Sequence, residues 1–101
     1  MSFADTLKTL PDFGGAELLL TDAGGNVLAT IANAPGTAGS FRLYAYLAQK
    51  YGSINAAAAA EGLAIYAEHT DDARLHPGKH PNIDRLFGVQ ATGAPLAVTL
   101  A

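Results

Sequence analysis

Apolar residues recur along the chain with two periods, and the change between them falls near Ser40. Before it, Glu17–Asp22 and Asn26–Ala32 are short strand-like runs joined by Ala-Gly-Gly, a pattern that predicts a β-hairpin. Ser2 and Asp5 stand three positions apart like the ends of a capping box, so Phe3–Leu10 is predicted to be a short helix stopped by Pro11. Asn33–Gly39 is a loop rich in helix breakers, and Ser40 is placed as the N-cap of the next helix.

From Ser40 the apolar positions Phe41, Tyr44, Ala45, Ala48 and Tyr51 take helical spacing, with Leu43 and Leu47 widening the buried face. Gly52 ends that helix; Asn55 caps a second one through the alanines, stopped by Gly62. Leu63–Glu68 reads as a strand, and Thr70 as the cap of a helical turn over Asp71–Leu75. Pro81 suits the first position of a further short helix to about Leu86. Phe87–Ala91 and Leu96–Leu100 flank Thr-Gly-Ala-Pro as a second hairpin. The expected fold is therefore α+β: a small antiparallel sheet of two hairpins, with four or five strands, packed against two or three short helices.

Composition narrows the function classes. With 101 residues the chain suits one domain, residues 1–101, and half of it is apolar. The formal charge of −3 opposes binding to a phosphate backbone. Tyr51–Leu63 has the look of the first half of a helix-turn-helix, but the next element is acidic where a recognition helix is basic, so a DNA reader is a remote alternative. There is no cysteine, which removes disulfides, thiolate metal sites and thiol nucleophiles. No basic leader precedes an apolar run and no segment is long enough to cross a bilayer, so a cytoplasmic protein without a membrane partner is expected.

The ionisable chemistry is concentrated in Glu68–Arg85, which holds all three histidines and seven of the fifteen charged residues. His76 and His80 each precede a proline, which biases both away from helical geometry. Their four-residue spacing therefore belongs to a stiff loop, His-Pro-Gly-Lys-His-Pro, and not to one helix face. Rigid presentation of imidazoles suits acid–base work or metal ligation. His69, His76, His80 and Asp84 are the catalytic candidates. His69, His76 and His80, with a carboxylate from Glu68, Asp71, Asp72 or Asp84, form a candidate set for a divalent transition metal such as zinc. Alternatively Arg74, Lys79 and Arg85, with Arg42 from the preceding helix, would hold a small anionic molecule beside the helix that starts near Pro81. In that arrangement Asp84 caps the helix or orients a histidine. A structural explanation also stands: aspartates favouring a helix start, a solvated Asp84–Arg85 pair, and prolines closing a connection.

Two further features are weaker. Pro35-Gly-Thr-Ala-Gly-Ser40 is glycine-rich before a helix, yet it lacks the lysine of a phosphate-binding loop. No local Ser-His-Asp motif exists, although Ser40, Ser53 and the histidines can meet in space. Edge strands that need covering make a homodimer, or a non-catalytic interaction module, the alternative to an enzyme or small-molecule binder.

Residues 62–86, Gly-Leu-Ala-Ile-Tyr-Ala-Glu-His-Thr-Asp-Asp-Ala-Arg-Leu-His-Pro-Gly-Lys-His-Pro-Asn-Ile-Asp-Arg-Leu, together with Gly39–Tyr44 and Gly52–Ile54, resemble a bacterial family known as domain of unknown function 2322. The resemblance covers nearly the whole chain. It implies a bacterial, cytosolic, stand-alone domain and assigns no activity.

Overall fold

The structure is a computed structural model and describes residues 2–101. It is α+β, with five helices and one antiparallel sheet among the described residues: α1 (Phe3–Leu7), β1 (Glu17–Thr21), β2 (Val27–Ala32), α2 (Ala38–Tyr51), α3 (Ala56–Tyr66), α4 (Glu68–Leu75), α5 (Pro81–Thr92) and β3 (Ala97–Leu100). The sheet order is β2-β1-β3. The expected first hairpin is β1–β2, with Leu18 opposite Ile31 and a register shift at Leu20/Thr21 beside the turn. Leu18, Leu20 and Ile31 turn their side chains into the core, the alternation a half-buried sheet requires.

Helix α2 lies against all three strands, α3 packs on α2, and α5 packs on α3. This central position explains why α2 buries Phe41, Leu43, Tyr44, Ala45 and Leu47, a face broader than a single stripe. Asn55 caps α3 by accepting from the Ala58 N–H at 2.8 Å, and Ser2 caps α1 through the Asp5 N–H, both as the residue types dictate. No helix of the described residues is long and apolar enough to cross a membrane.

The strand count is lower than expected, because three assignments yield to helix. Gly62 does not stop α3. A Cβ there would meet Leu86 Cδ1 at 2.8 Å and Leu47 Cδ1 at 2.9 Å, so it is the point of close approach to α2 and α5, and the helix runs on. The expected strand Leu63–Glu68 accordingly becomes the end of α3 and the start of α4. Phe87–Ala91, the expected arm of a second hairpin, continues α5: Ile83, Leu86 and Val89 are all buried at helical spacing, a period that overrides the alternation of 87, 89 and 91. Strand β3 pairs with β1 instead, Leu19 opposite Thr99. At smaller scale, α1 ends at Leu7 and not Leu10, and the residue at the N-cap of α2 is Thr37, which leaves Ser40 inside the first turn.

Between α3 and α4 the chain bends at Ala67, the one described non-glycine residue with positive φ (φ 51°, ψ −111°). The bend is held by Thr70, expected as a cap but buried within α4, whose hydroxyl donates to the Leu63 carbonyl at 2.6 Å. A Cβ in this region of backbone space is strained. Ala67→Gly is therefore expected to stabilise the fold by about 1 kcal/mol, raising the thermal midpoint by about 4–8 °C. Calorimetry checks it, and a lower midpoint would contradict the assigned strain.

Candidate functional site

The two-proline loop folds as a tight turn. Pro77 fixes one central position, Gly78 supplies φ 90° at the next, and the Lys79 N–H donates back to the His76 carbonyl at 3.1 Å. Asp84, one turn into α5, accepts from the Gly78 N–H at 2.9 Å and pins the loop onto that helix. Asp84 thus supports the loop and is not among the residues lining the cleft beside His80.

The turn carries His80 and Lys79 back onto α4, where both meet one carboxylate. Asp72 Oδ2 lies 2.7 Å from His80 Nε2 and 2.9 Å from Lys79 Nζ, and Asp72 Oδ1 lies 3.8 Å from His76 Nε2. The His80 ring N–H, and after it the Lys79 ammonium, hold the Asp72 carboxyl down to about 2. An ionised carboxylate only accepts hydrogen bonds. His80 must therefore present Nε2–H to Asp72, leaving Nδ1, which has no partner among the described residues, as the free nitrogen.

His80 lies on the wall of a cleft of about 390 Å³ formed by Phe3, the first turn of α2, the end of α3 and the first turn of α5. Thr37 stands at the N-cap of α2 and Ser40 in its first turn, Tyr66 comes from α3, His69 from α4, and Pro81 and Asn82 from α5. The N-terminal ends of two helices thus face the same space, and no carboxylate lines it. Ser40 Oγ and Tyr66 Oη are 2.7 Å apart. Burial pushes the Tyr66 phenol well above its usual range, so it stays protonated. Two hydroxyl protons share one mutual bond, and the second proton is left for a ligand. The His69 ring stands edge-on to Phe3 at 5.5 Å and is 5.9 Å from the His80 ring, centroid to centroid.

The expected site is thus assembled in part. His69, Lys79 and His80 share the cleft, whereas His76 is exposed on the far side of Asp72. Among the described residues no three His, Asp or Glu side chains are gathered in a way that could hold a metal ion, so the three-histidine set is not formed. The expected anion group also divides. Arg42 pairs with Asp12 and donates to the Pro11 carbonyl away from the cleft. Arg74 pairs with Asp71 at 3.3 Å and covers Phe87. Arg85 donates to Asn82 Oδ1 at 2.8 Å and lines a different groove. Sequence reasoning does not single out Asp72 as the hub, nor Tyr66 and Asn82 as cleft residues beside Ser40. The Asp72–His80 spacing of eight carries no signal without knowledge of the Gly78 turn.

Residues 3–100 match the family described as "Uncharacterized protein conserved in bacteria", domain of unknown function 2322. The chain belongs to this family. No curated protein and no solved structure matches it. The family description assigns no activity, so the chemistry of the domain of unknown function 2322 protein has to be read from the cleft itself.

The folded-state carboxyl of Asp72 sits below its ordinary 3.8, so its contribution to stability is present above about pH 4 and is lost as the pH falls toward about 2. Urea midpoints of the wild type and Asp72→Asn are expected to differ at neutral pH and to converge across that window. A gap that stays constant down to the acid limit would show that Asp72 is not ion-paired.

Proposed function

We propose that the protein binds a small anionic molecule in the cleft between the first turns of α2 and α5, and that His80 exchanges a proton with it. The observation that carries this reading is the Asp72–His80 pair, with Nε2 held at 2.7 Å and Nδ1 left free on a cleft wall. A carboxylate that fixes one imidazole nitrogen sets the tautomer and aim of the other, the arrangement of the carboxylate–histidine pair in which histidine serves as a general base and acid.

Three features favour an anion. The lining contains two histidines and a lysine and no acid. The starts of α2 and α5 both add partial positive charge. The hydroxyl pair of Ser40 and Tyr66 offers one donor. Asp72 stands behind His80, so its negative charge orients the ring without facing the ligand. Lys79 has a dual part, since it lines the cleft while its ammonium bonds Asp72. The volume of about 390 Å³ suits a metabolite-sized molecule and not a polymer.

Inorganic phosphate, whose monobasic form carries a P–OH that can donate to the bare Nδ1, serves as the probe. Acetate, which has no proton to give at neutral pH, is the control for charge alone. Nuclear magnetic resonance titration is expected to give saturable shifts at Ser40, His69, His80 and Asn82. His80→Gln keeps a donor toward Asp72 while removing the free ring nitrogen, and it is expected to weaken binding about tenfold, equivalent to about 1.4 kcal/mol. Absence of saturation with phosphate, or shifts confined to Arg42 and Arg74, would overturn the reading.

A further inference from the structure

Next to the cleft, on the other side of Asn82, α5 and the β1–β2 turn enclose a second space, a groove of about 530 Å³. Its walls are largely apolar: Leu28, Val89, Pro95, Leu96, and Ala23 with Ala94. Leu28 is 57% exposed, although it is a large aliphatic side chain on a strand. One cation stands at the groove, Arg85.

Arg85 differs from the other arginines. Arg42 and Arg74 each have a carboxylate partner, whereas Arg85 has none among the described residues. Its Nη1 donates to Asn82 Oδ1 at 2.8 Å and to Tyr44 Oη at 3.4 Å, and its guanidinium lies 5.8 Å from the Tyr44 ring centroid. Tyr44 is fully buried, and burial pushes its phenol up to about 12. That hydroxyl donates to the Asn82 carbonyl, so the surface under Arg85 is fixed. Its Nε and Nη2 groups make no hydrogen bond to the described residues, and these donors form the fork that takes a carboxylate in two parallel bonds. The acid at the groove, Asp22, has its oxygens taken by the Gly24 and Asn26 N–H groups and the Asn26 amide, within its own turn.

A second observation comes from Gly88, in the interior of α5 and on the groove wall. Glycine there costs the helix about 1 kcal/mol relative to alanine. Its φ is not positive, and a Cβ added to it would meet nothing within 4 Å. No contact within the protein requires the missing side chain. An open floor between Leu28 and Leu96 is what a hydrocarbon chain needs, and the unpaired guanidinium is what its carboxylate needs.

We propose that this groove binds an amphipathic monocarboxylate, its acid group forked by Arg85 and its hydrocarbon chain laid over Gly88 between Leu28 and Leu96. The hydrocarbon chain distinguishes this ligand from that of the His80 cleft, and the two sites, which share no lining residue, are separable by mutation.

Octanoate is the probe, with acetate and octanol as controls, followed by calorimetry and by shifts of the Leu28, Arg85, Gly88 and Leu96 resonances. Octanoate is expected to bind about tenfold more tightly than either control, because each control lacks one half of the recognition. Arg85→Gln is expected to reduce octanoate affinity to the level of octanol. Gly88→Leu fills the floor and is expected to abolish binding while leaving the thermal midpoint equal or higher, which separates loss of the site from loss of the fold. His80→Gln is expected to leave the octanoate-induced shifts of Leu28, Arg85, Gly88 and Leu96 unchanged. Octanoate binding that survives both Arg85→Gln and Gly88→Leu would overturn the proposal. So would equal affinity for acetate read at the Leu28, Arg85, Gly88 and Leu96 resonances, or a dimer in light scattering that buries Leu28 and does not dissociate with octanoate.

Discussion

The close approach of three helices at Gly62 is the constraint on which the rest is built. Its missing Cβ leaves room for Leu47 of α2 and Leu86 of α5, and Ala58 and Ala59 extend the same small surface along α3. A larger residue would push the two leucines apart inside a core where both are fully buried, and dense interiors yield little to such displacement. Because α2 and α5 both reach α3 along this surface, their first turns arrive at the same end of the molecule, next to Tyr66 at the end of α3. The cleft is a consequence of that packing. Its walls are the ends of helices, and its position is fixed before any ionisable residue contributes.

The ionisable residues then give the cleft its sign. A protein with formal charge −3 has, at this one place, two histidines, a lysine and two helix starts with no acid on the lining. Asp72 keeps the collection compact by taking His80 and Lys79 on one oxygen. The pair is partly exposed, so its worth lies less in stability than in holding one ring in one orientation. Asn82 connects this cleft to the groove at Arg85: its backbone carbonyl accepts from Tyr44, its amide oxygen accepts from Arg85, and its side chain borders the cleft.

Much of the first hairpin, the caps at Ser2 and Asn55 and the central helix were legible because short-range chemistry specifies them. The concentration of charge in Glu68–Arg85 was legible as well, and Pro77-Gly78 forms a tight turn that leads into His80. What escaped was set by distance along the chain. Ser40 meets Tyr66 across 26 residues, and Arg42 donates to Pro11 across 31. Neither partner is visible locally. Gly62 looks like a helix stop because glycine is ambiguous between a terminator and a contact point, and only the neighbours Leu47 and Leu86 decide. Phe87–Ala91 looks like a strand because five residues satisfy an alternating period by chance, whereas Ile83 to Val89 settles the helix. His76 escaped for a different reason. Proline after histidine restricts the backbone but does not choose the direction of the ring, and His76 faces solvent while His80 faces in.

The most direct measurement is long-range proton–nitrogen correlation of the neutral His80 ring, which separates the two tautomers. The Asp72 contact requires the proton on Nε2 and a bare Nδ1, with the Nδ1 signal moving when monobasic phosphate, which can donate to it, is added. A proton on Nδ1, an even mixture of the two forms, or a ring signal that ignores phosphate would contradict the cleft as a site of proton exchange.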